Sequence, residues 1–251
     1  MTELLLYQFI HLRHGRARFV GVHAALLGEA AARLFGLRYA PDPERLKRRI
    51  EALAERERYP HDLSSFVRLE LTAEGEERLR PAGVSFYEGY ALRSLAPAAA
   101  TESYELPFTD EATSLREVAA QLARVQARRA GAEVAVRRAA DGTLRAADEA
   151  PLLAVRDGML LAAPAPRSVE RALLLHACAD AGIPVVERPI LGVEAPLCDE
   201  LFGVDHRGIT ALGRCDGHPF MSLVAERVAA AMERTAEALG DTLSRNPFRN
   251  L

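Results

Sequence analysis

The sequence predicts an α/β (α+β) protein of two domains, and three observations lead there. Short runs of β-formers broken by glycine turns alternate with stretches of helical periodicity along the chain. The 251 residues are enough for two units of about 100–150 residues, each with its own core. Near the middle, "RSLAPAAATESYELPFTDEATS" interrupts the pattern with prolines and small residues, as a domain connection does. The expected domains are 1–105 and 106–251.

At the N-terminus "LLLYQFIHL" reads as a strand, "RHGRA" as a turn on Gly15, and "RFVGV" as a resumption of the extended pattern. A helix follows in "HAALLGEAAARLFGL", with Gly36 as its stop. A second helix begins at "PDPERLKRRIEALAERER", where Asp42 caps and Pro43 fits the first turn. The segments "SSFVRLELTAEG" and "VSFYEGYAL" read as extended. In the second half, "LREVAAQLARVQARRAG" is an amphipathic helix, and "AEVAVRRAADGTL" and "APLLAVRDGMLLAAP" are strands folded about Asp-Gly turns. A helix in "SVERALLLHACADAG", extended pieces in "IPVVERPI" and "DELFGVDHRGITALGRCDG", and a closing helix in "FMSLVAERVAAAMERTAEAL" complete the order.

Composition excludes several classes. Hydrophobic residues make up 49% and charged residues 27% of the chain, which is globular, and no apolar run approaches the roughly 18–20 residues of a membrane span. The start "MTELLLYQFIHLRHG" has an early acidic residue and no small-residue cleavage site after its apolar block, so a cytoplasmic protein is expected. A net charge of −3 offers no general attraction for nucleic acid. Cys178, Cys198 and Cys215 are odd in number and widely spaced, which suits small buried hydrophobes better than zinc ligands or disulfides. Seven histidines without ligand spacing give no metal site. Of 32 basic residues one is lysine, Lys47, so 32 − 1 leaves 31 arginines.

The ordered series "ADGTLRAADEAPLLAVRDGMLLAAP", "RSVERALLLHACADAGIPVVERP" and "CDELFGVDHRGITALGRCDG" resembles the class IV aminotransferases, the fold-type IV pyridoxal-phosphate enzymes. The N-terminal "YQFIHLRHGRARFVGVHAALL" is similar to that family's first strand, turn and entry to its first helix. The resemblance implies a small N-terminal α/β domain, a larger C-terminal domain with a barrel-like sheet, a cofactor cleft between them and a homodimer. It also implies pyridoxal phosphate, an electron sink held by a lysine whose primary amine makes the imine and then shuttles the proton.

The alignment places that lysine at Ala112 or Thr113, and neither side chain can form an imine. The family's glutamate for the pyridine nitrogen falls near Ala146, with Arg145 beside it and Asp148 and Glu149 just downstream. The phosphate-binding arginine corresponds to Val20, with Arg18 two residues away. The phosphate loop reads Val204, Asp205, His206, Arg207, Gly208. Candidate pocket residues are therefore Arg18, Arg171, Asp205, His206 and Arg207, with His11 on the substrate side. The first reading is a degenerate site without cofactor, a non-catalytic protein that binds a small anionic ligand or a partner. The alternative is an active aminotransferase or aminodeoxychorismate-lyase-type enzyme, for which Lys47 has to reach the cleft. A third is a different enzyme using His11, Asp205 and His206 as acid and base.

Overall fold

The computed structural model describes residues 3–93 and 95–240. The chain opens with strand β1 (Leu5–Arg13), a turn in which His14 and Gly15 both take positive φ, and the short β2 (Arg16–Ala17). Helices α1 (Val20–Phe35) and α2 (Pro43–Arg56) follow, then strands β3 (Ser64–Thr72) and β4 (Glu77–Ser85). These strands form an antiparallel sheet in the order β2-β1-β3-β4. Helix α1 ends at Gly36 in the left-handed conformation, and Asp42 caps α2 by accepting the Arg45 N–H at 2.8 Å.

The rest of the chain supplies β5 (Ala98–Ser103), α3 (Ser114–Arg129), β6 (Val134–Arg138), β7 (Thr143–Ala147), β8 (Ala150–Arg156), β9 (Met159–Ala162), α4 (Val169–Asp180), β10 (Val185–Glu187) and β11 (Ile190–Leu191). A 3-10 turn over Gly192–Leu197 leads to β12 (Glu200–Asp205), β13 (Gly208–Ala211), β14 (Arg214–Cys215), β15 (His218–Pro219) and α5 (Leu223–Leu239). The strands build an 11-stranded sheet whose main path is β10-β9-β8-β7-β6-β5-β14-β15, with β11 on β7, β12 on β8 and β13 on β12. The fold class expected from the sequence is what forms, but among the described residues the barrel-like sheet does not close. No described helix is long and apolar enough to cross a membrane.

Three local expectations change. "RFVGV" (18–22) is not extended: the strand stops just before it, at Arg16 and Ala17, because Phe19 turns left-handed (φ 54°) and its carbonyl already accepts the N–H groups of Val22 and His23 at the start of α1. The strand expected at "VSFYEGYAL" lies earlier, as β4, an edge strand whose charged residues carry no apolar alternation. Inside the proline-interrupted linker, "AAATES" is β5, held in parallel between β6 and β14. Ala100 packs against a small-residue layer of Ala123, Ala127, Ala132 and Ala135, while Ala99 faces the core with Val136 and Leu144, so the usual bulky β signature is missing.

Helix α1 joins the two halves of the core. Val20, Ala24 and Leu27 pack with Leu6, Ile10 and Leu12 of β1 and with α2, while Phe19, Val22 and Leu26 pack with α4, α5 and Phe202 of β12. Helix α3 is inverted relative to the usual pattern. It buries Ala120, Ala123 and Ala127 and leaves Leu115, Val118, Leu122 and Val125 exposed. The β12–β13 hairpin is fixed at Gly208 (φ 108°), where a Cβ would overlap the Ala91 carbonyl oxygen. Gly208→Ala is therefore expected to lower the urea midpoint, corresponding to about 1–3 kcal/mol of lost stability.

Candidate functional site

A cleft with about 1080 Å³ of empty space, its open mouth included, lies between β1 and the turns of the second sheet. β1 contributes Tyr7, Gln8 and Phe9. The entry to α3 contributes Glu111, Ala112 and Arg116, and the tight turn joining β7 to β8 contributes Asp148 and Glu149. Ser168 and Glu170 at the start of α4, and residues 203–207 of β12 and its turn, close the opposite side.

Strand alternation puts Tyr7 and Phe9 on one face, each with a fixed partner. The Tyr7 hydroxyl donates to the Glu149 carboxylate, and burial, reinforced by the Glu149 charge, pushes its pKa up. The Arg68 guanidinium lies 4.0 Å over the Tyr7 ring and makes two hydrogen bonds to Glu117 of α3, at 3.0 and 2.9 Å. Phe9 stacks on the His206 ring at 4.0 Å with an interplanar angle of 16°, and Phe66 meets the same imidazole edge-on. Burial lowers the His206 pKa to about 4, so at neutral pH it is an uncharged ring within an aromatic stack.

Asp205 and Arg207 form a self-contained pair. The Asp205 carboxylate accepts the Arg207 backbone N–H at 2.8 Å and its guanidinium at 3.1 and 2.6 Å. Burial alone would raise the Asp205 pKa, but the charges of His206, Arg207 and Arg93 and the Arg207 hydrogen bond outweigh it and bring the value to about 2. Glu170 is different. It is only 8% exposed, and among the described residues no arginine or lysine pairs with it. Desolvation raises its pKa from 4.5 to about 7, with Asp205 adding to the rise and hydrogen bonds from its own N–H and from Ser168 opposing it. Arg93, across the cleft, donates to the Thr210 hydroxyl, while its buried Nε has no partner.

Of the candidates from the sequence, Asp205, His206 and Arg207 line this cleft and three others do not. His11 is 1% exposed, sealed between Phe66 and Tyr90, and shares a 2.9 Å hydrogen bond with the Ser64 hydroxyl. Burial holds its pKa well below the usual value, which removes it from the acid–base set proposed with Asp205 and His206. Arg18 turns away because residues 18–20 are not a strand. It pairs with Glu233 of α5 at 3.0 Å, and the same carboxylate takes Arg13 and the Tyr90 N–H. Arg171 donates to the Ala163 carbonyl at 3.1 Å and pairs with Glu187, fixing the start of α4 from behind.

The expected lysine position is in the wall itself. Ala112 lines the cleft, and its carbonyl accepts the Tyr7 N–H at 3.0 Å, whereas the Thr113 side chain is committed to capping α3 through the Arg116 N–H at 3.2 Å. Lys47 lies on α2 and is not among the lining residues. Ala146 is buried within β7. Acidic groups reach the cleft through the turn after it, at Asp148 (φ 53°) and Glu149, with Asp148 paired to Arg124 at 3.1 Å.

No family model matches the chain, and no curated protein does. Solved structures do match. A hypothetical aminotransferase from Mycobacterium tuberculosis, in its PLP-bound form, superposes with a TM-score of 0.73 at 20% identity, over 93% of this chain and 89% of that one. An aminotransferase from Brucella abortus bound to the cofactor PLP gives 0.75 at 17% identity, over 93% and 89%. The branched-chain amino acid aminotransferase from Escherichia coli gives 0.73 at 16% identity, over 90% and 82%. The chain has the fold of the class IV aminotransferases. That likeness corrects the expectation of no cofactor, since solved chains of this fold are bound to pyridoxal phosphate and the fold points to that group. The residues present do not fit it as a lysine imine, because the wall at Ala112 ends in a methyl group.

Glu170, Tyr7 and Arg93 were not singled out from the sequence, and Glu149 was noted only as an acidic residue just downstream of Ala146. A glutamate in a first helical turn reads as ordinary support for the helix dipole, and nothing local reveals that this one is buried without a cation. Because the folded-state pKa of Glu170 is raised, its favourable contribution is complete below about 4.5 and is lost as pH rises through about 7. Glu170→Gln is therefore expected to melt higher than the parent chain at pH 8, with the gap shrinking toward pH 5, as followed by thermal unfolding across that range.

Proposed function

We propose that this chain is a class IV aminotransferase-like protein with a degenerate lysine site, a non-catalytic protein that binds an anionic ligand of the pyridoxal-phosphate type in its cleft without a covalent link. The observation that carries this is Ala112 in the cleft wall, with Lys47 on a helix outside it. What the chain's own residues supply is a shaped site. Phe9 and His206 offer a flat aromatic surface, Tyr7 and Glu149 a fixed hydrogen-bonded pair, and Arg93 a guanidinium with bonding capacity to spare. Two domains, 1–105 and 106–251, with β5 reaching into the second sheet, and a cytoplasmic location belong to the same reading.

The decisive experiment adds pyridoxal phosphate, reduces with borohydride and weighs the protein. Binding without a fixed adduct, and without transaminase turnover, is expected. An adduct on Lys47 accompanied by turnover would sink the proposal in favour of an active enzyme. Ala112→Lys places an amine in the wall, and this variant is expected to gain one borohydride-fixed cofactor per chain by mass.

A homodimer is part of the proposal, supported by the exposed stripe Leu115, Val118, Leu122 and Val125 on α3. Leu122→Glu, a change at a 61% exposed position, is expected to shift the chain from dimer to monomer in light scattering without lowering its helix content.

A further inference from the structure

Five arginines line the cleft, and they differ in how their charge is met. Arg124, Arg167 and Arg207 each pair with a carboxylate, on Asp148, Glu29 and Asp205. Arg116 donates to two main-chain carbonyls and so ties two segments together. Arg93 stands apart. Its one side-chain hydrogen bond goes to the neutral Thr210 hydroxyl, its Nε is shut off from solvent without a partner, and among the described residues no carboxylate pairs with it. The backbone leaves this side chain little freedom to seek another partner. The Arg93 N–H donates to the Ile209 carbonyl at 2.8 Å, Leu92 bridges Ile209 in parallel, and Gly208 lies so close to the Ala91 carbonyl that a Cβ would overlap it.

The guanidinium is thereby held beside the turn that carries Asp205 and Arg207, where burial lowers its pKa, the Asp205 charge opposes that and the Arg207 charge adds to it. It stays ionised, because a guanidinium has no neutral form near neutral pH. Asp205 is already matched by Arg207, so of these three charges that of Arg93 is left over. For the fold alone a half-buried cation without a counter-ion is unfavourable. We infer that Arg93 is the residue that selects the ligand's charged group: together with Thr210 it receives a small oxyanion, a carboxylate or a phosphate. This rests on the reading of the cleft as the place of an anionic ligand and names the side chain that recognises the anion. The donors suit the role. A guanidinium carries five N–H donors in a planar fork that meets an oxyanion two at a time, and only one of them is used on Thr210. The Thr210 hydroxyl lines the cleft as well and, while accepting from Arg93, keeps its own proton to donate to the same oxyanion. The subsite is built on β13 and the segment beside it, without a helix terminus.

Calorimetry and thermal unfolding of the full chain test this, with inorganic phosphate and with acetate as probes at constant ionic strength. Binding of at least one of the two is expected, with a higher melting temperature in its presence. Phosphate alone would identify a phosphate as the group recognised, acetate alone a carboxylate, and both the oxyanion chemistry they share. Arg93→Met, of similar length and without the charge, is expected to melt no lower than the parent chain when no anion is added, and to bind the effective probe on the order of tenfold or more weakly. Arg93→Lys keeps the charge and loses the fork, and its affinity should fall between the two. The inference is overturned if neither probe binds the parent chain or if Arg93→Met binds as the parent does. It is equally overturned if Arg93→Met melts well below the parent, since the arginine then serves the fold. Pyridoxal phosphate takes no part in these measurements, so their outcome and that of the borohydride experiment are read separately.

Discussion

Strand β1 has to serve two apolar environments at once, and the cleft depends on how it does so. Successive side chains of a strand point to opposite faces. On one face Leu6, Ile10 and Leu12 join the core built with α1 and α2; on the other Tyr7 and Phe9 form the cleft wall, and His11 is sealed beneath Phe66 and Tyr90. A slip of one residue in the pairing with β3 would exchange the two sets. It would put aliphatic residues in the cleft and the tyrosine and histidine in the core. The eight paired positions from Leu5–Thr72 to Leu12–Ser65 fix that register, and the site inherits its precision from it.

Around this strand the electrostatics are carried by arginine. Arg68 sits over Tyr7 and grips Glu117, while Arg207 closes on Asp205; both use the planar, forked geometry that an ammonium lacks. Arg116 spans the Asp110 and Glu149 carbonyls and so ties the start of α3 to the β7–β8 turn. A guanidinium has no useful neutral form near physiological pH and cannot take the part of an imine-forming amine. The arginine-rich composition therefore gives strong positioning, and in the proposed reading it comes without a covalent handle.

Much of the architecture was legible because local chemistry determines it. Gly36 and Asp42 mark helix ends by mechanisms that need no tertiary context, and the Asp157-Gly158 turn has positive φ at both residues, as such hairpins require. The Asp205, His206 and Arg207 loop was visible only through the family resemblance. What stayed hidden depends on neighbours far away in sequence. Ala100 of β5 packs in an alanine layer rather than among bulky β-formers, Arg18 leaves the cleft because Phe19 turns left-handed, and Glu170 is distinctive because it is buried at the start of α4. His11 has the right face of β1 but the wrong depth, a distinction that alternation alone cannot make.

Glu233 carries a wider consequence. Its carboxylate on α5 receives Arg13 from the end of β1, Arg18 before α1, and the Tyr90 N–H from the segment entering the second sheet. Its carboxylate also occupies the space a Cβ at Gly89 would take, so a larger residue there would have to displace it. Pulling the first sheet away from α5 would break several partly buried ion pairs at once. Glu233 thus ties the end of β1 and the entry to α1 onto α5 at a point outside the cleft lining. A single carboxylate therefore serves as the common anchor of three segments far apart in sequence, and the chain's two sheets meet through it.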